Sequence, residues 1–110
     1  MAWRSERLAR EISKQSALIL NQQEWPAERL TVASVEVSSK MDYARVYVDI
    51  WPETAQLETI KELNRRKGLI KKELAGKLKT RLMPEIGFYL DHSSEATVRI
   101  ADLLEQAGLD

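Results

Sequence analysis

The chain has 110 residues, 44% of them hydrophobic and 31% charged, with 17 Lys and Arg balanced by 17 Asp and Glu and no cysteine. That composition predicts one globular domain, 1–110, able to bury roughly two-thirds of its unfolded surface. It excludes disulfides and thiolate metal sites, while the lack of an export-type apolar segment or a membrane-length apolar run predicts a cytoplasmic protein without membrane contact.

In chain order, Ser5 is the predicted cap of a first helix that carries Leu8, Ile12, Ile19 and Leu20 on one side and fades before Pro26. "LTVASVEVS" reads as a strand whose apolar parity slips between Leu30/Val32 and Val35/Val37, the mark of a bulge. "YARVYVDIW" alternates without a slip: Ala44, Val46, Val48 and Ile50 face the core, and Tyr43, Arg45, Tyr47, Asp49 and Trp51 face away. The short "SKMD" between these runs predicts an antiparallel hairpin.

Pro52 and Glu53 open a predicted helix with Leu57, Ile60 and Leu63 as one buried stripe, ended by Gly68 in a left-handed conformation. A second pattern, Ile70, Leu74, Leu78 and Leu82, runs to Pro84. "IGFYLD" is a short strand with Ile86, Phe88 and Leu90 inward, and "SSEATVRIADLLEQAG" a terminal helix capped by Ser93 or Ser94 and ended at Gly108. The order helix, strand, strand, helix, helix, strand, helix is an α+β plan, a small sheet with helices on one face.

Charge is distributed unevenly along this plan. Residues 61–81 hold nine bases, Lys61, Arg65, Arg66, Lys67, Lys71, Lys72, Lys77, Lys79 and Arg81, against Glu62 and Glu73, a local balance of +7 that leaves −7 for the other 89 residues. A solvated helix normally interleaves both signs, so a polyanion is the partner to test, although a basic face can also serve solubility alone. A helix that stops at Gly68 and restarts at once would gather side-chain cations and helix-start N–H groups at one corner, a way to hold a phosphate backbone. Helical spacing puts Lys72 and Lys79 on the outer face and lets Lys77 and Arg81 snorkel beside the apolar stripe. Lys71 falls inside the apolar arc, so either the joint bends the helix there or the stem packs while the amine escapes.

The segments "RSERLAREI", "VEVSSKMDYARVYV" and "GLIKKELAGKLKTRLMPEIGFYLD" together resemble the ribosome-binding factor A family over residues 4–105. In the last of them Gly68, Ile70, Lys71, Leu74, Leu78, Arg81, Pro84, Glu85, Phe88 and Asp91 match the family's spacing and type. The resemblance implies a type II KH-like fold and a non-enzymatic factor that binds free 30S subunits near the ends of 16S rRNA, in late maturation and cold adaptation. It also implies an Ala-x-Gly kink between the central helices in place of a GXXG clamp. Here the Ala position is Arg66, Lys40 stands where the hairpin commonly has Asp, and the sequence ends at Asp110 without the charged tail of some members. Resemblance and charge together nominate Arg65, Arg66, Lys67, Gly68, Lys71, Lys72, Lys79 and Arg81 as the main RNA-binding surface. Arg4, Arg7, Arg10 and Arg45 are secondary contacts.

Other residues invite chemistry without supporting it. His92 is the sole histidine, so no histidine cluster can hold a metal. Asp91, His92 and Ser93 are consecutive, whereas a nucleophilic triad needs convergence in space. Trp25-Pro26 and Trp51-Pro52 mark element ends where a ring closes the core, base stacking being the lesser reading. Asp42 and Asp49 do not form an acid–base pair, and no phosphate-cradling glycine motif is present. The expected protein is thus a monomeric, cofactor-free RNA-binding assembly factor whose partner is 16S rRNA in the immature 30S subunit. The rivals are a module whose basic ridge binds an acidic protein and, less favoured, a small RNA-processing enzyme.

Overall fold

A computed structural model describes residues 2–78, 80 and 83–91. Its elements are α1 (Ala2–Asn21), β1 (Arg29–Val37), β2 (Tyr43–Trp51), a 3₁₀ turn (Glu53–Ala55), α2 (Gln56–Arg65), α3 (Lys67–Leu78) and β3 (Glu85–Leu90). The expected terminal helix and Leu82 lie outside the described residues. No helix among the described residues is long and apolar enough to cross a membrane.

The three strands form one sheet in the order β1-β2-β3. β1 and β2 are antiparallel, with Val32 opposite Val48 and Val35 opposite Val46, and the register shifts between Val32 and Ser34, where the apolar parity slips in sequence. The extra residue lets Leu30 and Val32 on one side of the bulge, and Val35 and Val37 on the other, all turn toward the core. Ser38 closes the hairpin: its hydroxyl donates to Asp42 Oδ1 at 2.6 Å and accepts from the amides of Asp42 (3.2 Å) and Tyr43 (3.1 Å). Met41 takes the left-handed conformation of the turn, φ 59°.

β3 lies parallel to β2, with Ala44 beside Ile86 and Val46 beside Phe88. A parallel neighbour requires a crossover, and α2 and α3 supply it on one face of the sheet. Ala44, Val46, Val48 and Ile50 meet Ile86, Phe88 and Leu90 from the sheet, and Ile12, Ile19, Ile60, Leu63, Ile70 and Leu74 from the helices. Burying each large aliphatic or aromatic side chain is worth about 1.5–3 kcal/mol, so this layer anchors all three helices.

Two local expectations fail. Ser5 does not cap α1; it is buried within the helix, which begins at Ala2. Leu57 is 40% exposed, and Gln56 and Thr59 take the inward places beside Ile60 and Leu63. The 3₁₀ turn after Pro52 advances about 120° per residue, not 100°, and so resets the phase at which α2 meets the sheet. Each of the two polar residues makes one side-chain hydrogen bond: Gln56 Nε2 donates to the Ile50 carbonyl at 3.1 Å, and the Thr59 hydroxyl to that of Pro26 at 3.4 Å, while Gln56 Oε1 is buried without a partner among the described residues.

Candidate nucleic-acid interface

α2 and α3 meet at an elbow whose turning residue is Arg66, with φ −93° and ψ 2°. Gly68 instead lies within the first turn of α3, and a Cβ there would meet nothing within 4 Å. The bridge region that Arg66 occupies is open to non-glycine residues, so no left-handed residue is needed. The Arg66 amide closes α2 onto Glu62 O (3.0 Å) and Leu63 O (3.2 Å), and its carbonyl accepts from the Ile70 amide at 3.1 Å, opening α3. The ladder is handed over at one residue.

Three contacts fix this elbow. Arg66 reaches back to the connection between α1 and β1: its guanidinium lies 4.3 Å from the Trp25 ring centroid, and Nη1 donates to Gln23 Oε1 (3.3 Å) and the Glu24 carbonyl (3.4 Å). Trp25 is held in turn by its indole N–H donating to Leu20 O at 2.9 Å, so this tryptophan is a packing residue. Asn64 docks the last turn of α2 on β3: its Nδ2 donates to Phe88 O at 3.2 Å and its Oδ1 accepts from the Phe88 amide at 3.1 Å. Lys71 reaches the start of β3, with Nζ 2.6 Å from Glu85 Oε1. Its stem packs and its amine escapes, which settles why a lysine occupies an apolar position. Asn64 was not among the sequence candidates; its one signal is a poor helix former in the final turn of an otherwise strong helix.

These contacts divide the nine sequence cations. Glu62 Oε2 pairs with Arg65 Nη2 (2.5 Å) and Arg66 Nε (2.6 Å). Hydrogen bonds from Arg65 and then Arg66 hold the Glu62 carboxyl down at about 2, and Arg65 is raised by the same bond. Lys71, and more weakly Lys67, lower Glu85. Arg65, Arg66 and Lys71 are therefore engaged within the molecule. Lys61, Lys67, Lys72 and Lys77 make no ion pair among the described residues. Gly68, Leu69, Lys72, Glu73, Gly76 and Lys77 form the exposed strip of α3, and Lys72 stands one turn from each glycine, so no side chain of its own row screens its amine. Lys79 and Arg81 lie outside the described residues, as do His92 and Ser93.

Of the secondary candidates, Arg45 does not join this surface. Arg45 is exposed on the outer face of the sheet, opposite the helices, with its guanidinium 5.4 Å from the Tyr89 ring. Arg4, Arg7 and Arg10 are exposed near the start of α1. Arg10 is eleven residues before the end of α1, roughly 16 Å along the axis, whereas the elbow docks just past that end. Among the described residues no group of three His, Cys, Asp or Glu side chains is placed to hold a metal.

Comparison with known proteins gives concordant results. The family model for ribosome-binding factor A matches residues 4–104. The ribosome-binding factor A of Caldanaerobacter subterraneus subsp. tengcongensis is 36% identical over 110 residues, covering 96% of this chain and 90% of that protein. The crystal structure of ribosome-binding factor A from Thermus thermophilus superposes with a TM-score of 0.74 at 23% identity, over 82% of this chain and 98% of that one. A homology model of the Thermus thermophilus factor, fitted into a cryo-EM map of its complex with 30S, superposes at 0.65 and 20% identity over 76% and 91%. The α1-β1-β2-α2-α3-β3 order is that of the type II KH-like fold.

Proposed function

Because the chain belongs to the ribosome-binding factor A family, we propose that it binds the immature 30S subunit in the cytoplasm, as a monomer, holding 16S rRNA phosphates along the exposed strip of α3. The observation that carries this reading is that Lys72 and Lys77 stand exposed on α3 beyond a rigid elbow, with Lys67 at its first turn, and that none of the three makes an ion pair among the described residues. Lysine ammonium groups contact phosphates as point charges and bring no base specificity of their own. Site choice then comes from the shape of folded rRNA against a fixed corner. Arg65, Arg66 and Lys71 serve the surface indirectly by holding that corner in place. Lys79 and Arg81 continue the basic run in sequence.

The mode of action is steric and requires no catalysis. A bound protein holds rRNA in one arrangement during late maturation, a step that matters most in the cold, and delays use of the subunit. The complex of the Thermus thermophilus relative with 30S supports this choice of partner. Sedimentation of cell lysate tests it: the protein should travel with free 30S subunits and not with 70S ribosomes, and Lys72→Glu should shift it to the top of the gradient while remaining folded. A folded Lys72→Glu variant that still co-sediments with 30S removes α3 as the binding surface. RNA affinity that does not fall as salt rises would count against phosphate contacts.

A further inference from the structure

The two edges of the sheet differ. On β3, Asn64 already meets the N–H and C=O of Phe88. On β1 the corresponding groups stand open. The Ser38 amide donates to Tyr43 O at 2.9 Å, which makes these residues a hydrogen-bonded pair, and such pairs alternate with unbonded ones along an antiparallel ladder. Val37 and Val35, opposite Ala44 and Val46, therefore turn their N–H and C=O away from β2. Beyond the bulge the same holds for Val32: Val48, opposite it, accepts from the Asp91 amide at 2.9 Å and so faces β3. Among the described residues no backbone group from another element meets the outward side of β1.

The core is also incomplete beside this edge. Val46, Val48 and Phe88 in the other two strands are buried, whereas Leu30, Val32, Val35 and Val37 point inward and are only half-buried. Small residues of α1 leave the space: Ala9 lines a groove of about 650 Å³ with Val35 and Val37, and Ser13 continues its wall. Residues 30–35 carry no charge and no proline, so of the usual guards of an exposed edge only the bulge is present there. We propose that β1 takes an extended segment of a partner protein as a fourth strand at Val35 and Val37, its alternate apolar side chains entering the groove beside α1. Backbone donors and acceptors about 6.8 Å apart along the edge are matched by another extended polypeptide and not by an RNA chain. In a second copy of this chain, the two-fold register that uses both valines would set Glu36 directly opposite its counterpart, and like charges so placed are unfavourable. The proposal does not depend on the RNA reading, since it uses no residue of α2 or α3.

Hydrogen exchange read by NMR on the full chain tests this, with the peptide acetyl-Ser-(Thr-Val)3-Ser-amide as the probe. In the free protein the Val35 and Val37 amides should exchange fast, and that of Glu36, bonded to Arg45, slowly. Saturating peptide should slow Val35 and Val37 by about tenfold or more, and the same peptide N-methylated at every threonine and valine should not. Val35→Pro removes one outward N–H and no bond to β2, and should weaken the peptide by about fivefold with the sheet intact. Slow exchange at Val35 and Val37 before peptide is added, at any dilution, would mean that another part of the chain covers the edge. Slowing that rises with protein concentration would make the edge a contact between copies. Either result overturns the proposal, as would equal protection by the N-methylated peptide, protection by hexauridylate, or no protection.

Discussion

Among the described residues, the arginines of the basic stretch and, Lys71 apart, its lysines have different surroundings. At the end of α2, Arg65 and Arg66 share the Glu62 carboxylate, and Arg66 also lies on Trp25. Along α3, Lys67, Lys72 and Lys77 make no ion pair among the described residues, and Lys72 and Lys77 are exposed. The outer sheet face repeats the first pattern, with Arg29 and Arg45 each over a ring. A planar guanidinium with several fixed donors is suited to joining parts of one molecule, and a flexible ammonium to meeting a partner whose phosphates are not yet in place. The charge counted along a sequence is thus not the charge available for binding.

The contrast can be broken most severely by removing what both halves rest on. Leu74 is fully buried beneath α3, so Leu74→Ala should cost about 2–5 kcal/mol by denaturant unfolding and weaken RNA binding with it. A loss below about 1 kcal/mol would mean that α3 is not anchored through this residue. Next in size is the combined change of Lys67, Lys72 and Lys77 to Gln. Three lost phosphate contacts should flatten the dependence of log affinity on log salt by about 2 for single-stranded RNA, with little change in melting temperature. An unchanged slope would show that the open lysines are not phosphate contacts.

Arg66→Ala should do the converse. Losing the ring contact and the hydrogen bonds to Gln23 and Glu24 should lower stability by about 1–2 kcal/mol while leaving the salt slope as it was. A slope reduced by about 0.7 would make Arg66 a phosphate ligand after all. The smallest effect is a titration. The Glu62 carboxyl should be followed by NMR to a midpoint of about 2, below its ordinary 4.5. A depressed folded value stabilises the protein above the unfolded one, so the contribution of this pair is complete above about 4.5 and is lost as pH falls through about 2. Arg65→Gln should raise the midpoint, and a midpoint near 4.5 in the unaltered protein would mean that the pair is absent in solution.

The hairpin and the elbow also differ in how far they could be read in advance. Ala44, Val46, Val48 and Ile50 alternate with Tyr43, Arg45, Tyr47 and Asp49, and a period of two admits one register once the core side is chosen, so the strand, its inward residues and even the neighbouring bulge are visible in the letters. The elbow depends on contacts between residues distant in sequence. Glycine next to a helix end suggests a left-handed stop, yet the turn falls two residues earlier because Arg66 is held by Glu62, Gln23 and Trp25. Leu57 loses its inward place for a related reason, since the length of the 3₁₀ turn before α2 is not written in the apolar spacing. The cluster of cations was legible as a list. Which of them remain unpaired was not, because Glu85 is fourteen residues from Lys71 and Gln23 is forty-three from Arg66.

The grip of Asn64 on Phe88 has a bearing on self-association. In a three-stranded sheet β3 is a border, and a border strand invites another extended chain to zip alongside it. The carboxamide meets both the N–H and the C=O of Phe88, as a neighbouring peptide unit would, and so plugs the middle of that border. A single side chain thereby discourages edge-to-edge pairing at this border.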